Sequence, residues 1–131
     1  MKSLLLFVGL LCAVVLTSTS SAVSNSPTAR KQRATMQFNQ PVILQGVTLK
    51  GEYLFVHDDA AMARGEACTR VYKGNAELPN KLVVAFNCVP IQRAKSNYFV
   101  VRTHQVAPDT VEVTEFQFKG DTEAHGTPAF K

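Results

Sequence analysis

Pro41-Val42-Ile43-Leu44-Gln45-Gly46-Val47-Thr48-Leu49-Lys50-Gly51-Glu52-Tyr53-Leu54-Phe55-Val56-His57 decides the fold class of this chain. Val42-Ile43-Leu44 is a short β-branched run, Gln45-Gly46 supplies a turn, and Val47-Thr48-Leu49 alternates apolar with polar. Lys50-Gly51 reads as a further turn, and Tyr53 to His57 is apolar on both faces. Residues that alternate about a glycine turn read as strands of a hairpin, not as a helix.

The same texture continues downstream. Cys68-Thr69-Arg70-Val71-Tyr72, Lys81 to Val89, Asn97 to His104 and Val111 to Phe118 are each of strand length, bounded by Gly, Pro or Asn. About seven short strands without a long helical period predict an all-β fold, a small antiparallel β-sandwich or barrel. One stretch departs from it. Asp58-Asp59-Ala60-Ala61-Met62-Ala63-Arg64-Gly65 offers a capping Asp, helix formers and a stop glycine, so a helical insertion of one or two turns is expected there. In the last long strand, Val111 and Val113 lie on one face and Phe116 and Phe118 on the other. A β-bulge near Thr114–Glu115, or burial of both faces at different points, would reconcile the two phases.

Ahead of this pattern stands a different segment. Met1-Lys2, the apolar run Leu4 to Leu16 and Ser20-Ser21-Ala22 form the three-part plan of a secretory signal peptide, residues 1–22. Thirteen apolar residues are too few for a spanning helix, which needs about 20, so no stable membrane span is expected. Cys12 reads as part of the apolar run and leaves with it. Residues 23–33, with Arg30, Lys31 and Arg33, read as a flexible basic arm, and residues 34–131 as a single β-rich domain. The chain is thereby assigned to the periplasm or the extracellular space.

Removal of residues 1–22 leaves 109 of the 131 residues, enough for one domain with a real core. It takes one of the 14 basic residues, leaving 13 against 10 acidic ones, a net charge of +3. Three of those positives lie in the arm, so the domain lacks the dense basic stripe of a nucleic-acid binder. It also leaves two cysteines, Cys68 and Cys88, 20 positions apart. In an exported chain they read as one structural disulfide, with Cys88 turned inward by the alternation of Leu82, Val84, Phe86 and Cys88.

Candidate chemistry is sparse. There is no Gly-x-Ser-x-Gly elbow, no phosphate-cradling glycine loop and no closely spaced Ser/His/Asp set. No catalytic residue is assigned and the chain is read as a non-enzyme, a small hydrolase with an unseen site being the weakest reading. His57 and Asp59 are two positions apart, and Asp121, Glu123 and His125 follow the same alternation. Extended backbone would put each set on one face, where imidazole and carboxylate suit a transition metal such as zinc or copper. His104 reads as a polar strand-end residue. Phe38, Tyr53, Phe55, Tyr72, Phe86, Tyr98, Phe99, Phe116 and Phe118 read as core, not as a stacking platform.

The run from Pro41 to Phe55, with a Pro-Val start, a glycine turn and a Gly-x-Tyr hairpin, resembles a recurrent pattern in uncharacterised small exported bacterial β-rich proteins, chiefly over residues 38–57. The resemblance implies export and β structure and carries no active-site residues with it. Here Lys50 abuts Gly51 directly, where the pattern carries an extra residue. Two functional expectations stand together. One is a non-enzymatic interaction or structural protein of the cell envelope or periplasm, needing no cofactor and pairing with another envelope protein through an edge strand. The other is a periplasmic metal-binding protein using His57, Asp59, Asp121, Glu123 and His125.

Overall fold

The computed structural model describes residues 29–130. The export segment, with Cys12, and most of the expected arm lie outside the described residues. Eight strands form one sheet: β1 Lys31–Leu44, β2 Val47–Asp58, β3 Thr69–Lys73, β4 Leu82–Phe86, β5 Val89–Gln92, β6 Val100–Ala107, β7 Thr110–Gln117 and β8 Glu123–Gly126. Seven of them run in the order β4-β3-β2-β1-β7-β8-β5, and β6 pairs with β7. The sheet curls into a half-barrel, so the all-β expectation holds while neither the two sheets of a sandwich nor a closed barrel is formed.

The β1–β2 hairpin is the frame. Gln45 and Gly46 both have positive φ, 48° and 76°. A two-residue loop with both φ values positive matches the right-handed twist of its strands. Gln45 bears a penalty in this conformation that a glycine would not, and its side-chain amide donates to the Pro128 carbonyl. Pairing then runs from Leu44↔Val47 to Lys31↔Asp58, interrupted between Phe38 and Val42. Pro41 falls in that interruption. A residue without an N–H is tolerated in a strand where the ladder is already broken. Strand β1 begins at Lys31, so the sheet takes in Lys31, Gln32 and Arg33, which the sequence assigns to the flexible arm.

Alternation along the hairpin sorts the two faces. Ala34, Met36, Phe38, Val42 and Leu44 of β1 meet Tyr53, Phe55 and Leu49 of β2 on the concave side, joined by Val71, Phe86, Val113, Phe116 and Phe118. Leu54, Val56 and Tyr72 form a smaller cluster on the other face. Among the concave aromatics, Phe55 lies 5.4 Å from both Phe99 and Phe116, and Phe116 meets Phe118 edge-on at 5.8 Å. Tyr98 departs from the aromatic-core expectation: it is 71% exposed, in the bend before β6.

Strand β7 is the junction. It pairs along its length with β6, so its other edge is shared by β1, through a parallel bridge at Ile43↔Glu112, and β8, through Glu115↔Gly126 and Phe116↔His125. The register with β6 slips between Arg102↔Glu115 and Thr103↔Val113. Thr114 is therefore the extra residue, and its hydroxyl donates to the Arg102 carbonyl. The bulge reverses the phase, so Val113, Phe116 and Phe118 all reach one core. Glu115 turns the other way and accepts two hydrogen bonds from Arg93, at 3.1 and 2.8 Å, tying the segment after β5 to β7.

The helical insertion is a single turn, Asp59–Ala63, capped by the Asp58 carboxylate, which accepts from Ala60 and Ala61 N–H. A 3-10 turn at Pro79–Lys81 precedes β4. No described helix is long and apolar enough to cross a membrane.

Phe116 is fully buried at the centre of the aromatic group. Phe116→Ala is expected to lower unfolding free energy by roughly 3–5 kcal/mol, the usual cost of emptying a phenylalanine site. Urea unfolding of the two proteins measures it, and a loss below about 1 kcal/mol would contradict the packing described.

Candidate functional site

At one end of the concave face the aromatic core gives way to a buried polar cluster. His57, Cys68, Cys88 and His125 converge there, each in a strand or within two residues of one. His57, two residues beyond Phe55 on β2, pairs directly with Gln32 of β1 and with Thr69 of β3. Thr69 in turn pairs with Phe86 of β4. Cys88 lies two residues past Phe86 and before β5, and Cys68 immediately precedes Thr69. Further along the edge of β7 that β1 also uses, β8 brings His125 opposite Phe116.

The two imidazole centroids lie 4.1 Å apart with their planes tilted by 33°, and Phe116 stacks on His125 at 5.1 Å. His125 Nδ1 lies 3.4 Å from Cys88 Sγ, and Cys88 Sγ lies 3.3 Å from Cys68 Sγ. One ligand atom from each of His57, Cys88 and His125 falls within 4.8 Å of the others. His57, His125 and Cys68 are all at least 95% buried, and Cys88 is half-buried.

The expected disulfide is not formed. Cys68 and Cys88 are both free thiols, and 3.3 Å is well beyond the bonded separation of about 2.05 Å. The register nevertheless makes them neighbours, and the Cys88 N–H donates to Cys68 Sγ.

The carboxylates expected beside the histidines are present but mostly engaged. Asp59 Oδ1 approaches His57 Nδ1 to 3.4 Å. Asp121 accepts from Arg30 at 3.2 Å and Gln32 at 3.0 Å, and the Arg30 guanidinium also reaches Asp59 at 4.0 Å. Glu123, on β8, acts on His57 only through its field. The structure thus brings the predicted residues to one place, with Arg30 neutralising two of the acids. The remaining arm charges, Lys31 and Arg33, are held by Glu77. His104 stands apart, exposed on β6 across from Glu112.

Sequence reasoning missed Cys88 as a partner of the histidines, because its pairing with Cys68 accounted for it. Its proximity to His125 depends on β8 reaching the same edge of β7 as β1, and no spacing in the chain announces that.

The electrostatics keep the cluster neutral. Burial, and secondarily His57 itself, depress the His125 imidazole to about 4. Burial also lowers His57, partly offset by Asp59. Burial and the adjoining Cys68 push the Cys88 thiol up to about 12. Although burial opposes it, hydrogen bonds from Gln32 and Arg30 hold Asp121 below the usual carboxylate range. Two of the imidazole nitrogens, His57 Nδ1 and His125 Nε2, are buried without a hydrogen-bond partner, as is Gln32 Oε1; the Asp59 contact to His57 Nδ1, though close, is misaligned for a hydrogen bond. Each such atom costs about 1–3 kcal/mol when left unmade. The arrangement is therefore a set of neutral nitrogen and sulfur donors with lone-pair capacity to spare.

Comparison with family models, with curated proteins and with solved structures gives no match to this chain.

Metal-free, reduced protein is expected to lose stability as pH falls from about 6.5 to 4. His125 is neutral in the folded state down to about 4, whereas an unfolded histidine takes up a proton near 6.5. Protons then favour the unfolded chain across that window, by roughly 3 kcal/mol in total at 1.36 kcal/mol per unit. Urea unfolding at pH 7 and pH 4 measures the fall, and His125→Gln should flatten it. An unchanged pH dependence in that variant would contradict the assignment.

Proposed function

We propose that this protein is an exported metal-binding β-domain whose site consists of His57, His125 and Cys88. The observation that carries this reading is the convergence of three donors from β2, β8 and the β4–β5 link within 4.8 Å, with an unpartnered buried nitrogen on each histidine. A tetrahedral zinc ion with bonds of about 2.0 Å to nitrogen and 2.3 Å to sulfur spaces those donors by about 3.5 Å. The His125 Nδ1 to Cys88 Sγ separation of 3.4 Å is already of that size.

Chemistry selects the class of ion. Imidazole and thiolate are nitrogen and soft sulfur donors, which suit zinc or copper and disfavour magnesium and calcium. Asp59 beside His57 and Asp121 near His125 serve as outer carboxylates whose charge favours a cation. This reading keeps the two histidines expected from sequence as ligands, moves the acids outward and adds sulfur. For His57 a metal also supplies what the buried Nδ1 lacks, exchanging an unsatisfied lone pair for a coordinate bond. The export assignment rests on residues 1–22 alone.

Titration of reduced, metal-free protein with Zn2+ is expected to reach one equivalent and to raise the unfolding midpoint. At a free metal concentration 1,000 times the Kd, the gain is about 4 kcal/mol. Substitution by Co2+ should give a thiolate-to-cobalt charge-transfer band that disappears in Cys88→Ser. His57→Ala and His125→Ala should each weaken binding at least tenfold, with the fold checked by circular dichroism. Stoichiometric binding unaffected by all three substitutions, or no binding at all, would overturn the reading.

A further inference from the structure

Cys88 is placed between two alternatives. Its sulfur lies 3.4 Å from His125 Nδ1 on one side and 3.3 Å from Cys68 Sγ on the other. The first contact is a ligand edge; the second is a near-contact between two thiols, which a bond would draw from 3.3 Å to about 2.05 Å. One sulfur cannot serve both, because a disulfide sulfur carries no thiolate charge and is a poor ligand for a dication.

We propose that Cys68 and Cys88 form a redox gate on the metal site: their oxidation to a disulfide withdraws the Cys88 ligand and releases the ion, and reduction restores binding. The inference rests on the metal reading above. Exposure assigns the order of events. Cys68 is 1% exposed and Cys88 is half-buried, so an external disulfide meets Cys88 first. The Cys88 thiolate attacks one sulfur of that disulfide, forming a mixed disulfide and expelling one external thiol. Cys68, its proton lost, then attacks Cys88 Sγ, forming the Cys68–Cys88 bond and expelling the second external thiol. Two electrons pass from the pair to the external disulfide; Cys68 supplies one proton and water the other, since metal-bound Cys88 carries none, so that disulfide becomes two thiols and the metal leaves with its charge unchanged. A low-molecular-weight or protein disulfide is therefore the co-reactant required.

The geometry also distinguishes the roles of the two cysteines. The three donors that converge within 4.8 Å are His57, Cys88 and His125. Cys68 stands behind Cys88, where it reaches that sulfur and accepts the Cys88 N–H. Cys68 is thus the resolving thiol, and Cys88 the ligand.

The test uses the whole mature chain in two states. Protein reduced and stripped of metal is compared with protein treated with oxidised glutathione, the product being checked by mass for loss of two hydrogens and by thiol titration for the absence of free thiol. Zn2+ is the probe. Reduced protein should bind one equivalent, the oxidised form at least a hundredfold more weakly, and a dithiol reductant should restore the first value. Cys68→Ser should bind Zn2+ within tenfold of the reduced parent and form no intramolecular disulfide. Failure of the reduced protein to bind overturns the metal reading and the gate with it. Binding by the oxidised form within threefold of the reduced form overturns the gate alone. So does failure of glutathione to form the intramolecular bond, or loss of binding in Cys68→Ser, which would make Cys68 a ligand.

Discussion

The register of the β1–β2 hairpin is the constraint on which the rest of the molecule depends. Two residues of positive φ at Gln45 and Gly46 set it at one end, and it is carried to Lys31↔Asp58 at the other. A strand displaced by one residue turns its whole inner face outward. Here that displacement would exchange Tyr53, Phe55 and His57 for Leu54, Val56 and Asp58. The core and the polar cluster would be lost together, because they occupy successive inner positions of the same strand. The interruption at Pro41 shifts the pairing by two residues, from Val42↔Leu49 to Phe38↔Gly51, and an even shift keeps the inner face of the distal half turned inward.

The polar cluster sits at the end of an aromatic column, and that placement governs its chemistry. Phe55, Phe116 and His125 succeed one another along the concave face, with the His57 ring tilted against His125. Apolar walls keep both imidazoles neutral and the Cys88 thiol protonated, so the donors are held without charge. Arg30 performs a related service outside the walls. By bridging Asp59 and Asp121 it limits the negative charge that would draw protons onto the histidines. A neutral cage with unsatisfied nitrogen is poorly suited to stabilising the empty fold and well suited to a cation that brings its own charge.

The β class, the hairpin at Gln45–Gly46, the capping role of Asp58 and the bulge at Thr114 were all legible in the sequence, since each follows from local periodicity or turn chemistry. The convergence of His57 with His125 was legible only as a suspicion from alternation. What brings them together is the sharing of one edge of β7 by β1 and β8, a tertiary arrangement with no local signature. Cys88 was misplaced for a related reason: an export signal makes a disulfide the economical use of two cysteines, and that economy hid the imidazole on the other side of the sulfur. Lys31 and Arg33 looked like a solvated arm because their partner, Glu77, lies far along the chain. The sandwich expectation failed because strand count does not reveal curvature; one sheet that curls far enough covers its own core.

The parallel bridge between Ile43 and Glu112 has a consequence for how the chain reaches this state. It joins the first strand to the seventh, so it cannot form until the chain between them has been brought round. Contacts of such long sequence separation are paid in loop entropy before they return any stability, and they slow folding. The β1–β2 hairpin, β3 and β4 pair with near neighbours, and that local half already sets Cys68 beside Cys88. His125 arrives only when β7 and β8 dock. In that order of assembly the two sulfurs meet with His57 already beside them but before His125 arrives, which offers the thiols to oxidation while the cluster is still incomplete. Which state a newly made molecule first occupies is then a contest of rates between closure of the β7 junction and encounter with a disulfide donor.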